Sequence, residues 1–92
     1  MLTVNIAGFL TEFTAGRSQI SLQSPHPSVG AALNELWEGH LGLRDRVLNE
    51  QGQLRQHVNI FVDNENIRRR ELLNTSLTPD SEITILPSVS GG

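Results

Sequence analysis

Val29, Ala32, Leu33, Leu36 and Trp37 fall at i, i+3, i+4, i+7 and i+8, which is one apolar stripe on a helix running to about Gly39. Pro25-His26-Pro27 precedes it, and Ser28 is placed to accept from the free amides of the first turn as N-cap. The stripe needs a sheet to cover it, because the strongest apolar patterns elsewhere have period two. Leu2, Val4 and Ile6 alternate with Thr3 and Asn5, and Ile20 and Leu22 repeat the pattern briefly. Val58, Ile60 and Val62 form the clearest strand, with Asn59 and Phe61 on its other face, and Ile83 and Ile85 mark a last strand over residues 82–86.

Connections follow from the residues between. The first two strands read as a loose antiparallel hairpin around a loop of about eleven residues containing Gly8 and Ala15-Gly16. Phe9, Leu10 and Phe13 in that loop are either a flap over one end of the core or an exposed partner contact. Residues 41–54 look irregular, with a short helical turn around 43–48, and Leu41, Leu43, Val47, Leu48 and Leu54 are expected to cap the open end of the sheet. Asp63-Asn64-Glu65-Asn66 supplies a turn, Ile67 begins a short return strand, and a second turn lies at Thr78-Pro79-Asp80-Ser81. The order strand, strand, helix, strand, short strand, strand predicts an α+β domain with one main helix across one face of a mixed sheet. With the first and last strands parallel neighbours at its centre, this is the β-grasp arrangement of ubiquitin.

Ninety-two residues hold one core, with a β-grasp domain expected over residues 1–86 and a flexible C-terminal tail over residues 87–92. Absence of cysteine excludes disulfides, thiolate metal sites and a cysteine nucleophile. A net charge of −3 argues against non-specific nucleic-acid binding. No apolar run is long enough to span a bilayer and the N-terminus lacks a secretion signal, so a soluble cytoplasmic protein is expected. His26, His40 and His57 lie too far apart for metal-ligand spacing and are expected to be solvated or capping. Asp45 with Arg46 and Glu71 with Arg68 are candidate surface ion pairs of little weight, and Arg68-Arg69-Arg70 is either a solvated run or a contact for an acidic partner. Nothing in the body of the domain resembles a nucleophile-and-base or phosphate-cradling motif. All seven basic residues are arginine, at positions 17, 44, 46, 55, 68, 69 and 70. A compositional bias would produce that, and so would selection against side-chain amines.

Chemistry then has to come from the end of the chain. Pro87 cannot donate to a ladder, so pairing is expected to stop at Leu86. Ser88, Val89 and Ser90 would form a thin arm, and Gly91 and Gly92, lacking Cβ, a tip slim enough for a narrow channel and an unhindered carboxylate.

The ending Ile83-Thr84-Ile85-Leu86-Pro87-Ser88-Val89-Ser90-Gly91-Gly92 resembles that of the ubiquitin-like sulfur carriers. That family includes the small subunit of molybdopterin synthase, the thiamine-pathway carrier and the cysteine-biosynthesis carrier. Ser28-Val29-Gly30-Ala31-Ala32-Leu33, Gly42-Leu43-Arg44-Asp45-Arg46-Val47-Leu48, Gly52-Gln53-Leu54-Arg55, Val58-Asn59-Ile60-Phe61-Val62-Asp63 and Ile67-Arg68 are also similar to the family pattern. The resemblance is weaker over the N-terminal hairpin, and Asp80 stands where the family commonly has glycine.

The resemblance implies a carrier and not an enzyme, with no metal and no stably bound cofactor. A ubiquitin-activating-type adenylyltransferase/sulfurtransferase would use ATP to adenylate the Gly92 carboxylate, and a sulfur donor would convert it to a thiocarboxylate. A biosynthetic enzyme, cysteine synthase-like or like the large subunit of molybdopterin synthase, would accept the sulfur, with cysteine biosynthesis the favoured pathway. Phe61, Leu86 and Arg68 are the docking candidates on the exposed sheet face. Neither nucleic acid nor membrane is implied as a partner. The alternatives are a modifier conjugated through Gly92 to target lysines and a non-catalytic interaction domain.

Overall fold

The computed structural model describes residues 2–23 and 25–87. Strands β1 (Thr3–Ile6), β2 (Gln19–Ser21), β3 (Val58–Val62), β4 (Glu65–Asn66) and β5 (Glu82–Pro87) form one sheet in the order β2-β1-β5-β3-β4. β1 and β5 are parallel, with Ile6 opposite Ile85, and the remaining pairs are antiparallel. Helix α1 (Val29–Gly39) packs across one face. This is the β-grasp fold, with the parallel central pair and the mixed sheet that the strand order predicts.

The alternating patterns place the core. Val4, Ile6, Val58, Ile60, Val62, Ile83 and Ile85 point inward and meet Val29, Ala32, Leu33, Leu36 and Trp37 from the helix. Ser28 is extended, and its Oγ accepts from the Ala31 N–H at 3.3 Å, satisfying one of the free amides of the helix start. Trp37 is core as expected, although its buried Nε1–H has no acceptor among the described residues.

Four local expectations change. Residues 8–14 are not an open loop but a 3₁₀ segment (Gly8–Thr14) ending at a left-handed Ala15. It divides the apolar trio: Leu10 is fully buried, Phe13 packs against the core, and Phe9 remains 56% exposed. Residues 41–47 form a regular helix, α2 (Leu41–Val47). Its Leu43 and Val47 close the core with Leu48, but Leu41, on the other side of the turn, is 75% exposed and caps nothing.

The return strand comes earlier than predicted. Asp63 and Asn64 both take positive φ (49° and 74°), the conformation of a two-residue hairpin turn, so Glu65 already pairs with Val62 and Asn66 with Phe61. Ile67, fully buried, instead opens a 3₁₀ turn (Ile67–Arg69) capped by the Asn66 side chain, which accepts from the Arg68 N–H at 2.9 Å.

The ion pairs also differ. Arg46 lies over the Phe13 ring at 5.0 Å and Arg68 is taken up by backbone carbonyls, which leaves Arg44 with Asp45 at 3.6 Å and Arg70 with Glu65.

Candidate docking face and the root of the tail

On the face of the sheet away from α1, period-two alternation sets out Thr3 and Asn5 of β1, Asn59 and Phe61 of β3, and Thr84 and Leu86 of β5. The half over β2 and β1 is polar. Gln19 donates to Asn5 Oδ1 and Asn5 Nδ2 donates to Thr84 Oγ1, both at 3.3 Å, making a ladder across three strands. The other half carries the apolar pair. Register puts Leu86 opposite Asn59 and Phe61 opposite Thr84, so Phe61 and Leu86 are diagonal neighbours.

Arg68 completes this half. Its Nη2 donates to the carbonyls of Arg55 and Val58, both at 2.8 Å, and its Nε reaches Asn59 Oδ1 at 3.5 Å. Asn59 also accepts from Asn66 Nδ2 at 3.4 Å. The fold therefore gathers Phe61, Leu86 and Arg68 around Asn59, although 25 residues separate the first of them from Leu86 (86 − 61). A guanidinium tied to two carbonyls is held in place while one edge stays exposed.

Pro87 corrects the expected end of pairing. β5 runs one residue beyond Leu86, with Pro87 opposite Val58. The reason is geometric. The Ile85 carbonyl faces β1, where it accepts from the Ala7 N–H at 3.0 Å, so the nitrogen of Pro87, two residues on, faces the same flank. β1 has already ended there, at the pair Ile6 and Ile85, and the missing donor has no ladder to leave incomplete. Gly8 takes the space instead: a Cβ on it would stand 3.1 Å from Pro87 Cγ.

The tail residues Ser88, Val89, Ser90, Gly91 and Gly92 lie outside the described residues. At their root opens a groove of about 420 Å³ lined by Phe9, Asp45, Arg46, Arg55, His57, Val58 and Pro87. Its walls come from four separated segments, and no spacing in the sequence signals their convergence. Arg55 is oriented there by donating its Nε–H to the Asp45 carbonyl at 2.8 Å.

His26 departs from the solvated or capping role: Nε2 lies 2.7 Å from Glu35 Oε1, while Glu35 Oε2 accepts from the Gln23 N–H, pinning the approach to α1 against the helix. Among the described residues there is no cluster of three or more His, Cys, Asp or Glu able to hold a metal. No helix among them is long and apolar enough to cross a membrane.

Residues 4–92 match the ThiS family. The match takes in the N-terminal hairpin, where the resemblance read from the residues is weakest. The chain is 31% identical over 93 residues to the sulfur carrier protein CysO of Mycobacterium tuberculosis, covering 99% of this chain and 98% of that protein. Its structure superposes with a TM-score of 0.88 on a chain of the Amycolatopsis orientalis BexX/CysO complex, at 26% identity and full coverage of both. It also superposes on SAMP1 of Haloferax volcanii at a TM-score of 0.83 and 27% identity, covering 99% of this chain and 98% of that one.

Proposed function

The chain belongs to the ThiS family, and from that membership we propose that it is a sulfur carrier whose reactive group is the Gly92 carboxylate. The observation that carries the reading is the family match running through residue 92 on a β-grasp body. Five residues, Ser88 to Gly92, follow β5 in the sequence, a length of chain that can span at most about 17 Å. A carboxylate on an arm without bulk at its tip can be presented inside a partner's active site while the folded body stays outside.

The chemistry has two steps. A ubiquitin-activating-type adenylyltransferase uses ATP to convert the carboxylate into an acyl adenylate, replacing a poor electrophile with one that has AMP as leaving group. A sulfur donor attacks the carbonyl carbon, AMP departs and a thiocarboxylate remains. Its sulfur is then the nucleophile delivered to a biosynthetic enzyme. The catalytic groups belong to the partners, and the chain is a co-substrate. Phe61, Leu86 and Arg68 form the docking patch: two apolar side chains to be desolvated and one fixed cation to set orientation. Similarity to CysO supports cysteine biosynthesis as the receiving pathway, ahead of molybdopterin formation, and the BexX/CysO complex supports assembly with a separate protein.

Likeness to SAMP1, a small archaeal modifier protein, supports a second reading in which Gly92 is conjugated to lysines of target proteins. Intact mass after incubation with a cognate activating enzyme, ATP and sulfide separates the two. Exchange of one oxygen for sulfur at Gly92 is expected. Amide conjugates to other proteins, without the sulfur product, would replace the carrier reading with the modifier, and an unchanged mass would leave an interaction domain.

A further inference from the structure

We propose that the absence of lysine is a specificity device for the reactive end, keeping side-chain amines out of reach of the activated Gly92 carbonyl so that it acylates sulfur and not its own chain. The proposal rests on the reading that Gly92 is activated, and it adds which nucleophile the body of the protein is built to withhold.

The structure separates arginines that the fold uses as arginines from those it does not. Arg68 donates in three directions from one planar group, and a single ammonium could not reproduce that geometry. Arg55 donates through Nε, and Arg46 lies over Phe13. Arg17 and Arg69 are different: both are exposed, and neither side chain makes a hydrogen bond or ion pair among the described residues. Lysine would fold equally well at both positions. Its exclusion there has no source in packing or hydrogen bonding.

Arg17 also lies at the end of the sheet from which the tail departs. The Ile6 N–H donates to the Ser18 carbonyl at 2.8 Å, and Ile6 stands opposite Ile85, two residues before Pro87. Two strand spacings, about 10 Å, therefore separate that turn from β5. The five-residue arm covers about 17 Å at full extension, so an amine at position 17 is within its reach. A guanidinium stays protonated with no free lone pair at neutral pH, whereas roughly one lysine in a thousand is a neutral amine. That fraction matters when a short tether holds the pair at an effective concentration in the millimolar range. The competing step is simple: the amine nitrogen attacks the Gly92 carbonyl carbon, a C–N bond forms, the bond to the leaving group breaks, and the amine loses its proton to water. The product is an amide that can no longer accept sulfur.

The test needs no activating enzyme. The full chain is prepared with Gly92 as the thioester of mercaptoethanesulfonate. Absence of cysteine leaves no internal thiol to intercept the acyl group. Wild type, Arg17→Lys and Arg69→Lys are incubated at a pH where added Nα-acetyl-lysine amide is acylated, and intact mass is followed, with far-UV circular dichroism as the check on fold. Wild type is expected to hydrolyse. Arg17→Lys is expected to form a cyclised monomer, lighter than the free acid by one water. Its rate should be independent of protein concentration and at least about tenfold above amide formation in wild type, as the tethered concentration implies. Arg69 follows β4, likewise two strands from β5, and Arg69→Lys is expected to form more amide than wild type as well. If both variants only hydrolyse while the small amine is acylated, the proposal is overturned. Because the thioester is made chemically, failure here leaves sulfur loading of the wild-type chain untouched. Failure of loading, in turn, leaves this result readable.

Discussion

Gly8 meets two demands at once. Its φ is +64°, where a side chain is strained, and a Cβ would press on the Pro87 ring at 3.1 Å. Gly8→Ala is expected to lower stability by about 1–2 kcal/mol, read as a shifted urea midpoint at unchanged slope. Arg68 carries a comparable load through its two carbonyl acceptors. Arg68→Gln is expected to lower stability by about 1–2 kcal/mol while the far-UV spectrum is retained. Both residues were visible in the sequence, Gly8 as a loop glycine and Arg68 as a docking candidate. Neither contact was, because each joins segments distant in the chain. Pro87 shows the same division: the lost donor can be read from the residue type, but only the flank it faces decides whether pairing ends.

Elements divide by how much of their stabilisation is local. α1 has a cap, a stripe of five apolar residues and a matching length, so its bounds could be read directly. α2 is seven residues long, too short to be stable alone, and forms because Leu43 and Val47 are buried against the core. Leu43→Ala is therefore expected to cost about 2–5 kcal/mol and to remove the helical signal of that segment selectively in hydrogen exchange. The β3–β4 turn was misplaced for a related reason. Four consecutive turn-forming residues leave the tight pair undetermined, and the register of Glu65 with Val62 selects Asp63-Asn64. Since Asn64 sits at φ 74°, Asn64→Gly is expected to be neutral or mildly stabilising, and Asn64→Val to cost about 1–2 kcal/mol in thermal unfolding.

At the scale of the molecule, neighbouring residues of β5 serve different ends. Ile85 is fully buried and Leu86 lies on the opposite face beside Asn59. Ile85→Ala is expected to lose about 2–5 kcal/mol of stability. Leu86→Ala is expected to lose much less, and to raise the KM for loading by the activating enzyme about fivefold or more, the loss of a contact of about 1 kcal/mol. A Leu86 variant that loads like wild type would remove the sheet face from the docking surface. The sequence by itself determined the inward-facing residues of the strands and of α1, the single principal helix, the strand order and the Gly-Gly ending, because periodicity, capping and turn chemistry act over a few residues. Tertiary structure alone decided that Phe61, Leu86 and Arg68 converge on Asn59, that Arg46 and Arg55 line a groove at the root of the tail, and that Pro87 belongs to the sheet. Those relations depend on register between strands far apart in the chain, and register is set by burial of the whole core.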